Sequence, residues 1–127
     1  MSGIKKIIAT AAVAIFCAGS PQADVDLPQI FAGCIGRFSA EMERAWLMSQ
    51  ADADHFEAQR AAFQTLLEAV VAQEDRRGIL TYRIETKMAH ASLLTAADFG
   101  VDRARAERAR RIAQMHVASC ERMLLGT

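Results

Sequence analysis

Residues 102–125, DRARAERARRIAQMHVASCERMLL, carry the pattern that decides the fold. At about 100° per residue, Ala109, Ile112, Ala113, His116, Cys120 and Met123 fall within roughly a third of the circumference. Arg103, Arg110, Arg111 and Arg122 fall outside that arc. A stripe of this width marks a helix with one face buried against others. Asp102 stands where an N-cap is wanted and Gly100 where the preceding helix must stop.

The same periodicity recurs upstream. Phe31, Cys34, Phe38, Met42 and Ala45 follow Asp26, whose spacing to Gln29 is that of a capping box, with Pro28 in the first turn. Phe56, Phe63, Leu66, Leu67, Val70 and Val71 form a second stripe after Asp54, with Glu57 in capping-box spacing. Arg76, Arg77 and Gly78 read as the end of that helix, with cations complementing its dipole. Leu80, Ile84, Met88, Ala91 and Leu94 form a third stripe. The pattern predicts helices near 27–50, 53–77, 79–98 and 102–125. Short connections between helices of this length favour antiparallel neighbours, so the expected fold is an all-α, single antiparallel up-down-up-down four-helix bundle.

Cys120 lies near the end of the last helix and Cys34 near the start of the first, each on an apolar stripe. In an up-down-up-down bundle those two places share one end, so the sequence predicts a Cys34–Cys120 disulfide.

The N-terminus differs from the rest. Lys5 and Lys6 precede an uncharged apolar run from Ile7 to Ala18, followed by small and turn-forming residues up to Ala23. This order is that of a signal peptide, and the run is shorter than the roughly 20 residues of a membrane-spanning helix. The reading expects residues 1–23 to be cleaved and residues 24–127 to form one exported, periplasmic domain with no membrane span. Cleavage would remove Cys17 and leave an even pair of cysteines, which suits an oxidising compartment.

Composition narrows the function further. The 127 residues hold 15 basic and 15 acidic side chains, so no strongly basic surface points to nucleic acid. Two prolines, seven glycines and eight aromatics argue against a turn-rich β fold.

Catalytic and metal-binding constellations fare poorly. No HxxxH, ExxH or CxxC spacing occurs. A turn about Gly100 places His90 opposite residue 110, about 9 Å in axial rise from His116. Ser39, Ser49, Ser92 and Ser119 lie outside any GxSxG turn, and Glu41 with Glu43 reads as part of a solvated face. No cofactor or metal is therefore expected, and the chain reads as a non-enzymatic binding module for a protein or cell-envelope partner. Trp46 and Leu47 at the end of the first helix, and Arg110 and Arg111 on the last, are the candidate contact residues. The competing reading is a cofactor-binding bundle holding b-type haem or copper through His116 and a core methionine, Met42.

Overall fold

In the computed structural model, Gly19 and residues 25–126 are described. Apart from Gly19, the expected signal peptide over 1–23 lies outside them. Among the described residues the chain is a helical bundle without strands: α1 Leu27–Leu47, α2 Ala53–Val70, α3 Arg76–Phe99 and α4 Arg103–Leu125. No helix among them is long and apolar enough to cross a membrane.

Local chemistry explains most helix ends. The Asp26 carboxylate accepts from Gln29 N–H, and Asp102 does the same for Arg105 N–H, both at 3.1 Å, which supplies partners for otherwise orphaned amides. α1 stops three residues before the expected position 50. Gln50 N–H reaches back to Ala45 O and Ser49 N–H to Trp46 O, the pair of bonds that closes a Schellman turn. Ser49 accordingly adopts φ 52°, in the left-handed region.

The α2–α3 boundary corrects the sequence reading. α2 ends at Val70, not 77; Val71 and Ala72 are extended, and a short 3₁₀ turn, Gln73–Asp75, leads into α3 at Arg76. The Arg76 guanidinium bonds both Glu68 carboxylate oxygens and Gln73 Oε1, stapling the break before Gly78. Gly78 is thus in the first turn of α3, and the arginines beside it open a helix instead of closing one. Asp52, not Asp54, precedes α2 and makes no side-chain cap bond; Asp54 sits in the first turn, where its charge suits the helix N-terminus.

α1 is the hub. It packs extensively on both α2 and α3, while α4 rests on α3 and meets α1 at fewer points. One of these is covalent: Cys34 and Cys120 are at bonding distance, S–S 2.08 Å, as the stripes predicted. The main core gathers Ile35, Phe38, Phe63 and Leu67 around that bond, and Ala40, Leu94 and Ala113 form a second cluster toward the other end.

The expected stripe of α3 is overturned in part. Leu80, Ile84 and Met88 are exposed, whereas Leu94 of the same stripe is buried, together with His90 and Ala97 outside it. The cause is the close approach of α1 to α3. A Cβ on Gly36 would stand 2.6 Å from Arg83 O and 2.9 Å from Lys87 N. That contact turns the Tyr82–Arg83–Thr86–Lys87 side of α3 inward and its aliphatic side outward. Gly36→Ala should therefore lower stability by about 1–2 kcal/mol, because overpacking against backbone outweighs the usual helical gain of alanine. Gly78→Ala, with open space at its Cβ, should instead raise stability by about 0.5–1 kcal/mol. Urea denaturation of the two variants checks the sign; a stabilised Gly36→Ala would contradict the tight contact.

Candidate functional site

Two features stand out, and both sit on the α1–α3 contact. The first is a chain of polar groups threaded through the bundle. Glu41 lies seven residues after Cys34, two helical turns on and on the same face, so α1 carries it into the interior. His90 of α3 is only 2% exposed, and its Nε2 lies 2.9 Å from Glu41 Oε1. The other Glu41 oxygen is 3.8 Å from Arg44 Nη1. Arg44 in turn donates to both Asp98 oxygens, from Nε at 2.6 Å and Nη2 at 2.8 Å. This fork-on-fork pair ties the C-terminal turns of α1 and α3 together. The hydrogen bond from Arg44 holds the Asp98 carboxyl below the usual carboxylate range, against the opposing effect of burial.

His116 of α4 completes the chain, with its ring centroid 5.9 Å from that of His90. Burial, with the nearby Arg37 guanidinium and His90, pushes its pKa below the ordinary histidine value. Arg37 also places Nη1 3.8 Å from Cys120 Sγ, one turn along α4 from His116. A turn centred on Gly100 sets His90 level with residue 110, and the structure corrects this. Arg110 Nη2 donates to Ala97 O at 2.7 Å, so α4 pairs with α3 about six residues further along than a turn centred on Gly100 implies. The assignment of Glu41 to a solvated face is corrected too. Its signal was available: an acidic residue in heptad register with Cys34.

A cleft of about 360 Å³ opens where α2 and α4 stand apart, bridged by Glu121 to Gln59 and His55. Glu41, Arg44 and Arg110 are among its walls, which gives the polar chain a route to solvent.

The second feature is apolar. Leu47, Met48 and Phe99 line a groove of about 170 Å³ between the ends of α1 and α3, floored by Ala40, Ala91 and Leu94. Leu47 is 85% exposed and Phe99 69%; Trp46 beside Leu47 and Val101 after Phe99 are exposed as well. The Arg44–Asp98 pair forms one wall, so the same ion pair borders both features.

The remaining sequence candidates are placed as follows. Arg110 donates to the Ala97 carbonyl in the last turn of α3, which makes it a helix cap as well as a surface cation, and Arg111 is exposed. Met42 is buried, about 100° around α1 from Glu41, and His116 meets His90 across the α3–α4 contact. Ser39 and Ser92 hydroxyls donate to the carbonyls of Ile35 and Met88 on their own helices.

Compared with family models, curated proteins and solved structures, the chain matches none. Its own geometry is the basis for a functional reading.

Proposed function

We propose that this chain is a small exported, periplasmic, non-enzymatic interaction module that docks a protein partner on the Trp46–Leu47–Phe99 end of the bundle. The observation that carries this reading is the groove between the ends of α1 and α3. Contiguous exposed apolar surface with a polar rim is costly to leave in water and is a mark of partner contact. The groove is small, so the fitting partner inserts one or two apolar side chains, with Arg44, Asp98 and Glu43 at the rim setting orientation.

We further infer that the helices run up-down-up-down. Phe31 pairs with Phe63 and Phe38 with Phe56, while Ala97 pairs with Arg110 and His90 with His116, which supports opposite directions for α1 and α2 and for α3 and α4. A cleaved segment before Asp24 fits the order of basic, apolar and small residues at the N-terminus.

The test is capture from the native host's envelope fraction with the tagged chain, repeated with Leu47→Asp and Phe99→Asp. Both positions are solvent-exposed, so the fold should survive and helical circular dichroism should be unchanged. Loss of a specific partner by tenfold or more in either variant is expected. A partner retained at full affinity by both would exclude this groove, and Arg110 with Arg111 changed to Glu would then report on α4.

A further inference from the structure

We propose that His90 and His116 form a two-coordinate site for a monovalent copper ion, joining α3 to α4 inside the bundle. The first support is a polar atom without a partner. Glu41 Oε1 is a carboxylate oxygen and accepts, so His90 Nε2 carries the hydrogen of that bond. In the tautomer that donates from Nε2, Nδ1 presents a lone pair. It is buried and has no hydrogen-bond partner, which is rare for a polar atom in a folded interior. A histidine with one nitrogen donating to a carboxylate and the other left as a lone pair is the arrangement of a metal-ligating imidazole, with the carboxylate fixing ring and tautomer.

The second support is spacing. The His90 and His116 ring centroids are 5.9 Å apart with planes at 38°. Two metal–nitrogen bonds of about 2 Å, plus the distance from each nitrogen to its ring centre, span about 6 Å. An ion held by one nitrogen of each ring matches that separation.

The third is the choice of ion. Among the described residues no group of three His, Cys, Asp or Glu is gathered to hold a metal. Zinc wants four ligands and is poorly served here. Copper(I) is stable with two nitrogens in line, and imidazole suits copper. Arg37 beside His116 adds a positive charge that opposes a divalent ion twice as strongly as a monovalent one, while Glu41 supplies a compensating negative charge. Cys34 and Cys120 are bonded to each other, so no thiolate competes for the ion. The copper reading of the sequence paired His116 with Met42; here the partner is His90.

The test is an anaerobic titration of the oxidised full chain with tetrakis(acetonitrile)copper(I) in competition with bicinchoninate, without thiol reductants. One equivalent should be withdrawn from the chelator. His116→Gln, at a half-buried position, should weaken retention by more than the roughly 10–100-fold that an outer-shell change costs, and Glu41→Gln should fall within that range. Met42→Leu should retain copper as the wild type does. X-ray absorption of the complex should show two nitrogen neighbours and no sulfur. No copper withdrawn by the wild type, unaltered affinity in a folded His116→Gln, or sulfur ligation would each overturn the proposal.

Discussion

Replacing Cys34 and Cys120 together with alanine should lower the unfolding free energy by about 4–5 kcal/mol in the chain-entropy account of disulfides. The bond spans 86 residues, nearly the whole bundle, so its removal frees a very large loop in the unfolded chain. For a domain of this size the melting temperature should fall by upwards of roughly 15 °C. The loss should also be uneven. α4 rests on α3 and meets α1 at fewer points, one of them the Cys34–Cys120 bond, so hydrogen exchange should quicken first along α4. Calorimetry of oxidised protein beside the double-alanine variant gives the magnitude. A difference below about 1 kcal/mol would mean that the bond adds nothing to a bundle already held by packing.

Phe38→Ala should cost about 3–5 kcal/mol, the range for truncating a buried aromatic. Phe38 is fully buried and stacks on Phe63 at 5.8 Å and on Phe56 at 6.3 Å, with Phe31 continuing the row against Phe63. Such ring pairs add about 0.5–1.5 kcal/mol beyond the area they bury. The row matters because α2 buries little else: Ala53, Phe63 and Leu67 are its buried residues. Truncation of Phe38 should therefore release α2 preferentially, leaving the α1–α3 contact in place. Phe38→Leu, which keeps most of the volume, should cost about 1.5 kcal/mol or less. Equal costs for the two variants would argue that the ring row does not hold α2.

Much of the fold was legible because its signals are local. Asp26 and Asp102 act within three residues of themselves, and the α4 stripe needs only the period of the helix. The cysteine pair was legible because chain order in a bundle fixes which helix ends coincide. The boundary at Val71 was missed because the obvious punctuation, Gly78, drew the helix onward, while the Glu68–Arg76 staple works across eight residues. The polar chain was missed for another reason. Glu41 and His90 look like surface residues one at a time, and each becomes acceptable inside only because the other arrives from a different helix. The groove fared differently: Leu47 was singled out from α1 alone, but Phe99, which makes a groove of it, belongs to α3.

Helical periodicity, capping and chain order, which depend on near neighbours and connectivity, were enough to specify that residues 25–126 are helical, that they form four helices and which two cysteines meet. The rotation of α3 about its own axis was set by contacts with other helices. Hydrophobic patterning favoured Leu80, Ile84 and Met88 as its inner face. The backbone approach at Gly36, the Arg44–Asp98 fork and the Glu41–His90 bond together turned α3 by about 100° from that face, bringing His90 and Ala97 inward and keeping Leu94 inside. Whether a polar side chain is stable inside depends on partners supplied by other helices, and that complementarity cannot be read from any one stretch of chain.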